Sequence, residues 1–219
     1  MLLLATATLL VQLTATRGTE VTVPVDVGVG PAALLITGPV FRDQPVHGAL
    51  KLSIAAVLDK EFIRKNERRI PAKYRKMAKG VEEVRISPSI FIPDSLILSP
   101  PVRGTGLYGI TFRPFSLGVP LLSGPVSFDL SAGLLLTYAF LHSDVLPTTH
   151  FLRPGIDLQA ELEFQLSKSF LISLGWASGF YVPQQVGTFL SVGPLNDSMW
   201  HLGQGFLKFH FRFPYKVTL

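Results

Sequence analysis

Apolar and polar residues alternate with a period of two along most of this chain, as β-strands with unlike faces require. From Val126 the even positions Val126, Phe128, Leu130, Ala132, Leu134, Leu136, Tyr138 and Phe140 are apolar, while Ser127, Asp129, Ser131, Gly133 and Thr137 fill most odd ones. Next, Ile156, Leu158, Ala160, Leu162, Phe164 and Leu166 alternate with Asp157, Gln159, Glu161, Glu163 and Gln165, an almost complete segregation. A corner at Ser167 and Lys168 leads into Phe170, Ile172, Leu174, Trp176 and Phe180, which predicts a tight hairpin. The final run sets Phe209, Phe211, Phe213, Tyr215, Val217 and Leu219 against Lys208, His210, Arg212, Pro214, Lys216 and Thr218.

Four weaker segments have the same character: Val21 to Val29, Leu50 to Leu58, Val84 to Ile92 and Leu107 to Leu117, with a bulge expected where Pro114 shifts the phase. The sum is about eight strands, which predicts an all-β fold: a single antiparallel up-and-down β-barrel over residues 17–219. Counting the end that holds the N-terminus as inward, the outward loops fall at 30–47, 93–105, 142–153 and 183–201. Short inward turns fall at 118–124 and 167–168. The remaining inward connection, 59–82, is long and basic, and it is the one segment with helical character. Its apolar Ile63, Ile70, Tyr74 and Met77 sit at heptad-like spacing on a basic background.

Alternation alone does not say which face is inside. Strand length does. Apolar positions persist through segments far longer than the five or six residues usual in soluble domains, and long enough for a tilted membrane strand of about 9–11 residues. The polar face then lines the lumen. Its acids and bases are nearly balanced: Asp26, Asp129, Asp157, Glu161 and Glu163 against Lys51, Arg85, Arg113, Lys208, Arg212 and Lys216. Because eight strands leave room only for side chains, these charges predict a paired interior network, with Asp129, Asp157, Glu161, Glu163, Arg113, Lys208 and Arg212 at its centre and no open pore.

On this pattern and on its closing strand (Phe206, then Phe209 to Leu219), the chain resembles the small bacterial outer-membrane β-barrel proteins of the OmpA/OmpX type. The resemblance implies an outer-membrane location, lipid around the barrel and insertion by the barrel-assembly machinery. It departs from the family by ending in Leu219 instead of Phe or Trp, and its 5 Tyr and 2 Trp predict thin aromatic girdles. The expected role is structural or surface-interacting, through the outward loops. Two alternatives are a lipid A-modifying barrel enzyme of the acylase or deacylase type, and a secreted soluble barrel holding an apolar ligand.

Composition adds four points. Hydrophobic residues make up 47% of the 219 and charged residues 16%, which excludes disorder as the main state. Residues 1–16, apolar, uncharged up to Thr16 and ending in small residues, read as a signal peptide. Cysteine is absent, so there is no disulfide framework and no thiolate chemistry. The net charge of +5 suggests nucleic acid at first, yet nine of the twenty basic residues fall between Lys60 and Lys79, so the excess belongs to one insert. Within it Arg64, Lys65, Arg68, Arg69, Lys73, Arg75 and Lys76 suit an anionic surface: phospholipid, peptidoglycan or lipopolysaccharide.

Candidate chemistry is sparse, and no cofactor is expected. Gly104, Gly106 and Gly109 spell a dinucleotide-like G-x-G-x-x-G, but a strand follows where that site needs a helix. His142, Ser143 and His150 place catalytic residue types at the outward end of the longest strand, although adjacent strand residues face opposite ways, so His142 and Ser143 could not pair directly. His142, His150 and His201 lack ligand spacing, which predicts no metal there.

Overall fold

A computed structural model of the chain describes residues 20–36, 41, 44–65, 83–87, 92–101, 105–122, 124–143, 149–181 and 201–218. The expected signal peptide lies outside these. The strands are β1 (Glu20–Ile36), β2 (Val46–Asp59), β3 (Glu83–Ser87), β4 (Pro93–Ser99), β5 (Thr105–Leu122), β6 (Val126–Ser143), β7 (Thr149–Gln165), β8 (Phe170–Tyr181) and β9 (His201–Thr218), with one short helix, α1 (Lys60–Lys65). All pairings are antiparallel. Because β1 pairs with both β9 and β2, the sheet closes into a barrel.

Nine strands occupy eight stations. β3 pairs with β2 at Ala56 to Asp59 and with β5 at Ser116 to Gly118, whereas β4 pairs with the same two neighbours at Ala49 to Lys51 and at Leu107 to Phe112. The two short strands thus share one station, where a single strand over 84–92 was expected. β4 claims residues predicted as loop. The outward loops predicted at 30–47 and 142–153 are also shorter than expected, since β1 runs to Ile36 and β7 begins at Thr149.

Two irregularities set which side chains enter the barrel. The register between β5 and β6 shifts between Phe112 and Phe115, at the bulge expected from Pro114, so inward positions change from odd (Thr111, Arg113) to even (Ser116, Gly118). A second shift, between Pro93 and Ser95, allows both Asp94 and Ser95 to be buried. Short turns join β5 to β6 and β7 to β8. In the first, Gly124 adopts φ +149°, a conformation that side-chain-bearing residues rarely adopt. In the second, Ser167 Oγ accepts hydrogen bonds from the backbone N–H groups of Ser169 (3.3 Å) and Phe170 (3.1 Å). Both turns lie at the end that also holds the start of β1, the end of β9 and α1, called here the turn end. The opposite, loop end carries the connections after β1, β4, β6 and β8.

The burial pattern is inverted relative to a soluble protein. Leu158, Leu174 and Phe211 are 56%, 57% and 58% exposed, while Lys208 and Glu163 are each 1% exposed. Water would penalise such a surface and lipid would not. A closed antiparallel barrel of eight stations, with an apolar outside and strands of 12–18 residues around most of its wall, is a membrane-spanning barrel of the outer-membrane type. A soluble barrel holding an apolar ligand would need the opposite arrangement.

Candidate functional site: the barrel interior

The interior divides into layers. Nearest the turn end, Arg85 donates from Nη2 to Glu163 Oε2 at 2.8 Å and from Nη1 to Glu163 Oε1. It also donates to Glu83 (2.7 Å) and lies 3.8 Å from Asp129. A vestibule of about 440 Å³ opens here, lined by Arg85, Glu163, Arg212, Ser127 and Gln165 among others. One layer deeper, Lys208 Nζ donates to Glu161 Oε1 at 2.8 Å, and Asp26 accepts from His210 Nδ1 (2.7 Å) and Arg212 (3.2 Å). Arg113 then grips Asp157 through two contacts of 3.0 Å. Gly133 makes room for this pair, since a Cβ there would stand 2.7 Å from both Arg113 Nε and Asp157 Oδ1. Above it Lys51 Nζ donates to Asp94 (2.6 Å) and Gln204 (3.2 Å). Lys51 and Lys208 both lie over the ring of Phe206, at 5.4 and 4.9 Å from its centroid.

The loop-end layer differs in kind. Leu34, Ile36, Phe41, Ile97, Leu107, Leu135, Ala139, Leu141, Tyr181 and Leu202 pack together there as one buried cluster. A row of hydroxyls, Thr111 to Thr137 (3.0 Å) and Thr137 to Tyr181 (2.7 Å), marks the junction with the polar layers. The interior is thus a polar chamber open toward the turn end and stopped by an apolar plug at the loop end.

The seven residues expected to form the lumen network, Asp129, Asp157, Glu161, Glu163, Arg113, Lys208 and Arg212, all lie on the inner face. Arg113 meets Asp157 and Lys208 meets Glu161. Asp129, Glu163 and Arg212 are engaged instead with Arg85 and Asp26. Alternation had already put Asp26, Lys51 and Arg85 on the polar face. Sequence reasoning missed Asp94 and Arg153, which fall in segments predicted as loops and are buried within β4 and β7.

The catalytic candidates are not brought together as a site. His142 and His150 are exposed on the outer face. His150 Nδ1 is 2.8 Å from Tyr138 Oη, and its ring stacks on Tyr138 and leans on Phe140. The Ser143 side chain lies outside the described residues. Phe140 in turn stacks on Tyr108, so His150 belongs to an aromatic patch on the lipid-facing wall, and His201 packs separately on Phe180 at 5.0 Å. Of the basic insert, α1 shows Arg64 and Lys65 exposed at the turn end; Arg68, Arg69, Lys73, Arg75 and Lys76 lie outside the described residues.

Neither a family model nor a curated protein matches the sequence. Among solved structures, the chain is similar to Neisserial surface protein A, with 12% identity over 89% of this chain and 99% of that one and a TM-score of 0.48. It is similar also to the N-terminal β-barrel domain of OprF from Pseudomonas aeruginosa (10%, 86% and 97%, 0.45) and to Ail, the attachment invasion locus protein of Yersinia pestis (12%, 90% and 100%, 0.45).

Proposed function

We propose that this chain serves the bacterial outer membrane as a non-enzymatic structural or surface-interaction protein whose interior conducts nothing. The observation that carries this reading is the two-part interior. Ion pairs fill the chamber and an apolar cluster stops its loop end, so a solute entering from the turn end meets Leu34, Ile97 and Leu141 instead of a passage. Function then falls to surfaces. The outward loops face the medium. On the other side, Arg64, Lys65, Arg68, Arg69, Lys73, Arg75 and Lys76 form a basic excursion suited to anionic phospholipid or peptidoglycan.

Reconstitution of the purified full-length chain into planar bilayers tests the reading directly. The folded barrel, verified by its faster migration in SDS before boiling, should give no steady ion current. A reproducible open channel would overturn it. Recovery of the native protein in a soluble cell fraction would overturn the membrane assignment itself.

A further inference from the structure

His210 is held in an arrangement that the ion-pair network does not require. Its Nδ1 lies 2.7 Å from Asp26 Oδ1, and Asp26, as a carboxylate that also accepts from Arg212, acts only as acceptor. In the neutral imidazole the proton therefore sits on Nδ1, and the lone pair sits on Nε2. That nitrogen accepts from Ser173 Oγ at 2.8 Å and lies 3.9 Å from Glu161 Oε2, a spacing that one metal ion with bonds of about 2.0–2.2 Å can bridge once Ser173 gives way. Glu161 Oε2 is buried without a hydrogen-bond partner in a residue 8% exposed, while Glu161 Oε1 is taken by Lys208 and Gln159. Glu163 is the third member: one ligand atom from each of Glu161, Glu163 and His210 lies within 4.8 Å of the others, and ligation takes one Glu163 oxygen from Arg85 and draws the three side chains slightly together.

We infer that Glu161, Glu163 and His210 form a binding site for a divalent transition-metal ion inside the barrel. Two carboxylates and one imidazole are a donor set for zinc, manganese or cobalt, and Asp26 supplies the outer carboxylate that commonly orients a metal-bound histidine. Charge favours a guest cation. Among the described residues ion-paired around the site, the carboxylates of Asp26, Glu83, Asp129, Glu161 and Glu163 outnumber the bases Arg85, Lys208 and Arg212. A cavity of about 60 Å³ lined by Glu161 and His210 adjoins the site and can take a water as a further ligand. Sequence spacing gives no hint of this site, because its ligands come from β7 and β9, which are separated by β8. The bound ion would brace those strands through the interior.

Cobalt(II) is the probe, since its visible absorption reports ligand type and geometry. The refolded full-length chain in detergent micelles, stripped with a chelator, is titrated with cobalt(II) and then competed with zinc(II). The expected result is one equivalent bound with a ligand-field band, displaced by zinc. Glu161→Gln and His210→Gln should each weaken binding at least tenfold while the variant barrels still migrate as folded species before boiling. Ser173→Ala carries the opposite sign. Ser173 Oγ now bonds His210 Nε2 at 2.8 Å, and its removal frees the ligand nitrogen and should tighten binding several-fold. No ligand-field band in the folded wild type, or equal binding in wild type, His210→Gln and Ser173→Ala, would overturn the site. Neither result bears on the absence of conductance, which rests on the apolar plug.

Discussion

The two halves of the interior solve one problem by opposite means. Toward the turn end, inward positions carry Asp, Glu, Lys and Arg, and almost every charge has a partner within 3.2 Å. Toward the loop end, most inward positions carry Leu, Ile and Ala, with the buried His47–Ser99 hydrogen bond of 3.0 Å set among them. On β6 the change falls within seven residues: Asp129 and Ser131 serve the network, and Leu135, Ala139 and Leu141 serve the plug. A buried ion pair is specific but fragile, since removing one partner strands the other, whereas an apolar cluster fails by degrees. The charged half fixes which side chains meet, and the apolar half tolerates exchange.

That contrast is tested most severely at Arg113. Replacing Arg113 with Met leaves Asp157 buried without its two-contact partner, and a loss of about 3–5 kcal/mol is expected. The double variant Arg113→Met/Asp157→Leu should recover most of it. Both are read from denaturant unfolding of the barrel in lipid vesicles. A double variant as unstable as the single would show that the pair supports the barrel by more than mutual neutralisation.

In the plug, Leu141→Ala should cost about 3 kcal/mol, the usual price of a cavity in a packed apolar site, and the smaller change Ile97→Val about 1 kcal/mol. Both should leave the bilayer silent. If trimming Leu141 instead opens a current, the plug is one side chain thick at that level.

Much of this division could be read from the chain, and the exceptions share a cause. Where one parity is polar and the other apolar, as from Ile156 to Gln165, alternation assigned both faces correctly. Where both parities are apolar, as in the Leu134-Leu135-Leu136 run and in Leu34-Leu35-Ile36, alternation gives no sign of a face; those doubly apolar stretches are the plug. Asp94 and Arg153 lie in the stretches 93–105 and 142–153 that were assigned to loops, yet they and the adjacent Pro93 and Pro154 are parts of β4 and β7. The vertical stacking of charges, such as Lys208 opposite Glu161 and not Asp157, depends on strand stagger, which composition does not encode.

The outer wall offers a gentler test, because lipid tolerates change at the interface better than at mid-height. Leu174 lies opposite Leu162 and Leu207 on the wall facing lipid and is 57% exposed. Leu174→Arg should destabilise by about 2 kcal/mol or more if that position sits deep in the hydrocarbon. The same arginine placed at the exposed turn residue Ser169 should be close to neutral. Equal costs at the two positions would mean that Leu174 does not face hydrocarbon.

The smallest effect belongs to the aromatic patch on that wall. Tyr138 and His150 share one hydrogen bond of 2.8 Å at an exposed site, beside the stacked pair Tyr108 and Phe140. A bond of this kind contributes about 1 kcal/mol or less, so Tyr138→Phe should barely move the unfolding midpoint, and His150→Ala should do slightly more because the ring contact with Phe140 is lost as well. If His150 were a general base, its removal would abolish a lipid modification and leave stability untouched. Lipid A extracted from cells carrying His150→Ala should instead be identical by mass to that from wild type, with the change appearing only in the melting curve.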